Sequence, residues 1–158
     1  MLIKMIVLLK RGNTDESNPR YHVGGFKKVP NIINMVNVIK TTAPQDVETE
    51  IDHLLETYQS KKEITFQDII DFHVRFERIH PYGDGRVGRM IMFKECLRND
   101  ILPFVVLDQD KTCYLRGLRE YDRQPNYLIE TCLHEQDIYE NVCQQLLDFD
   151  LDNGQKLN

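Results

Sequence analysis

Apolar side chains recur every three or four positions through most of the chain after residue 44, which is the period of helices that bury one face. The pattern predicts five helices: through 47–58, from a cap at Thr65 to His80, from near Arg86 to Asn99, over 110–122 and over 126–149. Asp68 follows Thr65 by three positions, which is the spacing of a capping box at a helix start. We therefore expect a compact, mainly α-helical bundle.

The N-terminal quarter of the chain lacks this helical period. Residues 2–9 are almost wholly apolar and then stop at a glycine, which predicts the last turns of a buried helix and suggests a chain truncated on its N-terminal side. Residues 26–40 are rich in β-branched side chains and predict a small β-hairpin flap that turns near Asn34. We expect a single domain over residues 1–150 and a polar tail over 151–158 that frays.

Composition excludes several classes of protein. The 158 residues are 41% apolar and 28% charged, as in an ordinary globular domain. The net charge is -5 and the pI about 5.5, so no nucleic-acid partner is expected. No apolar run approaches the ~18 residues that cross a bilayer, and Lys4 interrupts the apolar start, so we expect a cytoplasmic protein without a membrane partner. The four cysteines lie far apart, and we expect buried, reduced thiols.

The segment between the second and third predicted helices concentrates reactive side chains. Pro81 prevents the helix from continuing past His80, and a glycine-rich stretch follows before the next helix. Such a loop exposes backbone N–H groups at a helix N-terminus, where the helix dipole also favours an anion. Arg86 and Arg89 lie three positions apart on one face and can both donate to phosphate oxygens.

Two further side chains complete this chemical set. Asp84 supplies the oxygen ligand that Mg²⁺ commonly shares with substrate phosphates. His80, with an ordinary pKa near ~6.5, can accept a proton beside the anion. A plain turn, in which His80 caps a helix and the arginines are solvated, is the alternative. The coincidence of base, carboxylate, glycine loop and two arginines favours a nucleotide phosphate site.

The segment HPYGDGRVGR resembles the signature of the Fic (Fido) domain, HPF-x-[D/E]-GNG-R-x-x-R. Members of that family typically transfer AMP from ATP to a hydroxyl group of a protein. The segments FHVRFERIHPY and GRMIMFKECLRNDILPFVVLD resemble the two family helices that flank the active loop, and GGFKKVPNIINMVNVIKTTAPQDVETEID resembles the flap and the helix after it. The resemblance covers roughly residues 10–150 and implies the helical Fic fold with its β-hairpin flap.

The resemblance implies a role for each matching residue of the loop. His80 would be the general base that removes the proton from the target hydroxyl, and Asp84 would hold Mg²⁺ against the phosphates of ATP. The nucleotide phosphates would be bound by Gly83, Gly85, Arg86 and Arg89. ATP would be the co-substrate, and the acceptor would be a hydroxyl of another protein or of this chain itself.

The resemblance also implies contacts outside the loop. Tyr114, in the segment CYLRGLREY, would approach the base or ribose of the nucleotide. The flap would align the target protein by adding one of its segments as a strand. The docking contacts would lie at Val29, Asn31 and Ile32.

The loop is two residues shorter than the family pattern, which has twelve positions from the histidine to the second arginine where this chain has ten. In the alignment that we prefer, an Asn-Gly pair is missing after Gly85 and Asp84 remains the metal ligand. In the other alignment, Asp84 replaces the asparagine and no metal ligand remains. Misplaced arginines and fewer N–H donors would weaken catalysis.

Two alternatives to AMP transfer therefore stay open. One is an impaired or non-catalytic module that binds a nucleotide or a protein partner. The other is a different Fic chemistry, such as removal of AMP or transfer of another nucleotide or of phosphate.

Overall fold

A computed structural model describes residues 25–33, 39–83 and 85–154, with the backbone alone at 32, 33, 39 and 150–154. The apolar segment 2–9, the turn expected near Asn34 and the expected metal ligand Asp84 lie outside the described residues. Within the described residues the chain is mainly helical, as the period of its apolar side chains predicts.

All five predicted helices are present. In chain order they are α1 (Val47–Gln59), α2 (Phe66–Ile79), α3 (Gly85–Arg98), α4 (Lys111–Glu120) and α5 (Pro125–Gly154). Short 3₁₀ turns precede α1 at Pro44–Asp46 and α4 at Asp108–Asp110. Because α3 runs unbroken from Gly85 through Arg86, only the four residues 81–84 connect His80 to α3.

Two short strands lie in the segment for which the flap was predicted. β1 (Ile32–Ile33) and β2 (Ile39–Lys40) pair antiparallel, with Ile32 opposite Lys40 and Ile33 opposite Ile39. A ladder of this length is not stable alone in water. Residues 25–33 and 39–42, hereafter the strand segment, therefore depend on contacts with the helices.

The chain divides into two compact units, Met1–Glu95 and Cys96–Asn158. In the first unit, α1, α2 and α3 share one apolar core, formed by Val47, Ile51, Leu54, Phe72, Phe76, Ile79 and Val87. Partly buried side chains border this core, namely Phe26, Tyr58, Tyr82 and Ile91. Two of them, Phe26 and Tyr82, come from the segment before β1 and from the loop after α2, so the core extends to the loop that carries the candidate chemistry.

The start of α2 is the capping box that the sequence predicts. Thr65 Oγ1 accepts the N–H of Asp68 at 3.2 Å, and the Asp68 carboxylate accepts the N–H of Thr65 at 2.9 Å. Hydrogen bonds from Lys61 and then Thr65 lower the pKa of Asp68 to about 2. The reciprocal cap determines where α2 begins and, through the rigid helix, where its last turn lies.

In the second unit, α4 and α5 pack against each other. The buried Glu135 on α5 accepts the N–H of Leu107 at 3.0 Å, and Gln136 donates to the carbonyl oxygen of Leu102. Burial raises the pKa of Glu135. These two bonds hold the connector that follows α3 against α5.

The end of α5 differs from the sequence prediction. A tail was expected from residue 151, but the helix continues to Gly154. It does so because no glycine or proline interrupts it earlier. Its apolar period predicts a buried face, yet Val142, Leu146 and Leu147 are exposed. The period of apolar side chains identifies an apolar face of α5. In its last turns, no described residue of the second unit packs over this face.

All four cysteines are free thiols, but only two of them are fully buried as expected. Cys96 and Cys132 are buried, Cys143 on α5 is half-buried, and Cys113 is exposed on α4. Within the described part of the chain, no helix is both long enough and apolar enough to cross a membrane.

Replacing Thr65 with alanine is expected to lower the free energy of unfolding by about 1 kcal/mol, because the N–H of Asp68 then loses its acceptor. Thr65→Ser keeps a hydroxyl at the same position and should retain most of the stability. Urea unfolding followed by circular dichroism compares both variants with the wild type. Equal stability of the alanine and serine variants would contradict a contribution from the cap.

Candidate functional site

The candidate base, His80, is the residue at which α2 ends. It adopts the left-handed conformation (φ 50°, ψ 54°), and its N–H donates to the carbonyl oxygen of Phe76 at 2.9 Å. Pro81 cannot continue the helix, and the N–H of Gly83 closes a turn onto the carbonyl oxygen of His80 at 3.2 Å. Gly83 has a φ of +66°, a conformation that glycine adopts without strain. The His80 side chain is 13% exposed.

The carbonyl oxygens at the end of α2 are satisfied by residues from the strand segment. The N–H of Thr42 donates to the carbonyl oxygen of Arg78 at 3.3 Å, and the N–H of Lys27 donates to that of Pro81 at 2.7 Å. Lys27 Nζ donates to the carbonyl oxygen of Ile79 at 2.9 Å. Residues before β1 and after β2 are thereby tied to the backbone on both sides of His80.

Lys27 is the central residue of this connection, and sequence reasoning did not single it out. Its ammonium group also donates to Asn31 Oδ1 at 2.9 Å and to Thr41 Oγ1 at 2.7 Å. The side chain of Thr41 in turn donates to Asn31 Oδ1 at 2.6 Å. Burial lowers the pKa of Lys27 to about 8. Lys27 is 5% exposed and donates to three acceptors, so it fixes the strand segment to the end of α2.

Aromatic side chains pack against Tyr82 in the loop that follows His80. The ring of Tyr82 lies 5.5 Å from that of Phe26 and 6.3 Å from that of Phe76, between centroids. Burial raises the pKa of Tyr82. The ring therefore anchors the turn after His80 in the core of the first unit.

A buried polar cluster lies where α2 approaches α3. The Glu77 carboxylate is 9% exposed, and its Oε2 is 3.7 Å from His80 Nδ1. His73, one turn earlier on α2, is buried and hydrogen-bonded to the backbone of Gly88. Burial lowers the pKa of His73, which favours its neutral form. Glu77 was not among the residues that the sequence selected.

The loop residues that the sequence selected lie around the start of α3. Gly85 is its first residue, and the half-buried side chains of Arg86 and Arg89 belong to its first turns. Gly83 lies in the turn before α3, with Asn31 Nδ2 3.2 Å from the position that a Cβ would take. The structure therefore brings His80 and the two arginines to one loop and the following helix. Asp84, between them in sequence, lies outside the described residues.

The remaining selected residues lie outside this loop in sequence. Asn31, expected at the docking surface, directs its side-chain oxygen to Lys27 and Thr41. Val29 is half-buried before β1, and Ile32 is described by its backbone alone. Tyr114 belongs to α4 in the second unit and is 2% exposed. In the described part of the chain, no three His, Cys, Asp or Glu side chains form a group that could hold a metal ion.

The arrangement can perform acid–base chemistry beside an anion. A histidine at a helix C-terminus faces the short connection to a second helix, whose N-terminus and two arginines favour negative charge. The hydrogen bonds from Lys27 and Thr42 restrict the position of the backbone around His80 before any ligand binds.

The comparisons with known proteins agree with this architecture. The sequence profile of the Fic/DOC family matches residues 7–96, more than half of the chain. A comparison with curated protein sequences found no match.

Two solved structures share the fold. A Fic domain containing signaling protein from Bacteroides thetaiotaomicron VPI-5482 superimposes with a TM-score of 0.63 and 21% identity, over 87% of this chain and 63% of its own. A Fic family protein from Desulfovibrio desulfuricans G20 superimposes with a TM-score of 0.69 and 22% identity, over 91% of this chain and 46% of its own. The chain spans less than two thirds of either protein, and identity at this level establishes the fold alone.

The buried position of Lys27 predicts a pH dependence of stability. Its pKa is about 8 in the folded protein and 10.5 ordinarily, so between these values the unfolded chain binds a proton that the folded chain does not. Raising the pH across this window therefore favours the folded state. The free energy of unfolding of the wild type should rise relative to that of Lys27→Met between pH 8 and 10.5.

Urea unfolding at several pH values measures this difference. Lys28→Met, at the exposed neighbouring position, is the control for the loss of one positive charge. A difference between wild type and Lys27→Met that stays constant from pH 8 to 10.5 would contradict the burial of a charged lysine.

Proposed function

The chain belongs to the Fic/DOC family, and from that membership we propose that it is a protein adenylyltransferase, which moves AMP from ATP to a hydroxyl group of a protein. One observation carries the proposal: His80 ends α2 in a turn that leads within four residues to the N-terminus of α3. A base and an anion-binding helix start are thereby next to each other. This pairing supports transfer of a phosphate-linked group to a hydroxyl.

In the proposed reaction His80 acts as the general base. The imidazole takes the proton of the target hydroxyl, the oxygen attacks the α-phosphorus of ATP, and the bond to the β-phosphate oxygen breaks. The products are the AMP ester of the protein and pyrophosphate, and the proton stays on His80 until it passes to solvent. Phosphoryl-type transfer requires chiefly positioning and charge neutralisation from the protein.

The phosphates would lie against the first turns of α3. Arg86 and Arg89 would donate to the β- and γ-phosphate oxygens, with which arginine forms charge-assisted bonds. Gly83 and Gly85 would let the backbone approach the anion closely, and the helix dipole would add to the attraction. An arginine pair at a helix N-terminus opposes the dipole, so an anion between them removes an unfavourable arrangement.

One carboxylate beside an anion-binding helix start is a donor set that suits Mg²⁺ bound together with phosphates. Asp84 would hold the ion. Mg²⁺, when bound, would offset charge on the phosphates and on the leaving pyrophosphate.

The target protein would dock at the flap. An added strand would pair with the backbone near Val29 and Ile32, and the connection through Lys27 would align it with His80. Asn31 would contribute to this alignment through its contacts with Lys27 and Thr41 rather than by facing the target.

A second candidate function is a Fic-type module that binds a nucleotide or a partner with little or no turnover. The short loop favours it, because the N–H of Gly83 is used within the turn by the carbonyl oxygen of His80. Fewer N–H groups then remain for phosphate oxygens. The other Fic chemistries, removal of AMP and transfer of another nucleotide or of phosphate, use the same groups.

Incubation with labelled ATP tests the proposal. Label at the α-phosphate is expected on a protein, either in a lysate or on the chain itself, and His80→Ala should lower incorporation by about 100-fold or more because the base is lost. Label at the γ-phosphate should not be incorporated. His53→Ala, which removes an exposed histidine of α1, is the matched control and should retain activity. Incorporation that His80→Ala leaves unchanged would exclude His80 as the base.

The short loop allows a separate prediction. Inserting Asn-Gly between Gly85 and Arg86 lengthens the loop to the family pattern and adds two N–H donors. The rate of AMP transfer and the affinity for ATP are expected to rise, because the arginines and the backbone then reach the phosphates in better geometry. Inserting Ala-Ala at the same place is the control for length. A fall in activity with Asn-Gly would show that the short loop is itself the functional form.

A further inference from the structure

The Glu77 carboxylate is buried between α2 and α3, and no step of the proposed reaction uses it. A Cβ on Gly88 would lie 2.0 Å from Glu77 Oε1, and a Cβ on Gly85 would lie 3.2 Å from Oε2. Glycine is unfavourable inside a helix, yet α3 carries it at both of the positions that approach Glu77. The two glycines therefore form a recess that admits this carboxylate. A side chain at position 88 would close the recess, and one at position 85 would narrow it.

The carboxylate in this recess approaches the imidazole that ends α2. Glu77 Oε2 is 3.7 Å from His80 Nδ1, within the range of an ion pair, and both side chains are largely buried. When His80 accepts a proton it becomes an imidazolium, and a nearby buried carboxylate stabilises that charged form. A carboxylate on the Nδ1 side of a histidine also determines which ring nitrogen remains basic, as in hydrolase triads.

We propose that Glu77 is the positioning residue of His80, whose carboxylate in the Gly85–Gly88 recess holds the Nδ1 side of the imidazole and leaves Nε2 to accept the proton. The inference rests on the proposed function, since it names what orients the base of that reaction. It does not depend on which nucleotide or which target protein is used.

Several charged or titratable groups surround this pair. On α2, His73 lies one turn before Glu77, and its buried imidazole favours the neutral form. From α3, Arg89 Nη1 lies 3.3 Å from the Cβ position on Gly85 that Glu77 Oε2 approaches. From the strand segment, Lys27 Nζ is bonded to the carbonyl oxygen of Ile79.

The charge of Glu77 is tested with Glu77→Gln, which keeps the shape of the side chain. The first measurement is NMR of the His80 ring nitrogens, which reports which nitrogen carries the proton and needs no substrate. The tautomer with its proton on Nδ1 is expected to lose population in Glu77→Gln, because the negative charge that favours it is lost. Asp71→Asn, which removes an acidic group at a partly exposed position of the same helix, is the matched control and should leave the tautomer unchanged.

The second measurement is the kinetics of AMP transfer. Glu77→Gln is expected to lower kcat by about 10- to 100-fold and to leave KM for ATP unchanged, since the group acts on the base rather than on the phosphates. The position of the carboxylate is tested by Gly88→Ala, which displaces it without changing its charge. This variant should lower kcat and shift the tautomer of His80 in the same direction as Glu77→Gln does. It is the test variant if circular dichroism shows that Glu77→Gln does not fold.

Each outcome is decisive. An unchanged tautomer of His80 in folded Glu77→Gln would overturn the proposal. So would a raised KM for ATP with unchanged kcat, which would make Glu77 a partner of Arg89. If neither the wild type nor any variant transfers AMP while the tautomer of His80 still shifts in Glu77→Gln, the positioning role stands and the proposed function fails.

Discussion

The C-terminus of α2 imposes the constraint on which the rest of the site depends. The last carbonyl oxygens of a helix have no partner within it, and a buried one must find another donor. Four consecutive carbonyl oxygens, those of residues 78–81, are satisfied by Thr42, Lys27, Gly83 and Lys27 again. Since Lys27 lies far from α2 in sequence, the position of the loop depends on how the strand segment folds back.

Buried polar groups collect at the end of α2. Three of the five buried Lys, His and Glu side chains in the described part of the chain are near it, namely Lys27, His73 and Glu77. Removing such groups from water is costly unless each is bonded or paired. Their concentration at one loop is typical of a site whose geometry is set before a ligand arrives. The same cost recurs at Glu135 in the second unit, where the carboxylate accepts the N–H of Leu107 in the connector after α3.

Local rules made much of this fold predictable from the sequence. The capping box at Thr65 and the end of α2 before Pro81 depend on residues within four positions of each other, so their spacing is visible in the chain. The roles of Lys27 and Glu77 were not visible, because each depends on a partner in another segment. Gly85 suggested phosphate binding, whereas its Cβ position also borders Glu77. The end of α5 shows the opposite error. Its apolar period correctly predicted a helix, but the buried face that this period also predicted is exposed among the described residues.

The fold and the proposed turnover depend on different parts of the first unit. The seven buried residues of the core of α1, α2 and α3 lie outside the loop between His80 and Gly85, and Tyr82 packs against them from this loop. The proposed phosphate binding, in contrast, would require N–H groups and two arginines at set distances from His80. The chain directs the N–H of Gly83 back to His80, which would shift the demand for donors to the first turn of α3. Selection can therefore alter the anion site while the family fold persists, and activity has to be read from the loop rather than from the fold.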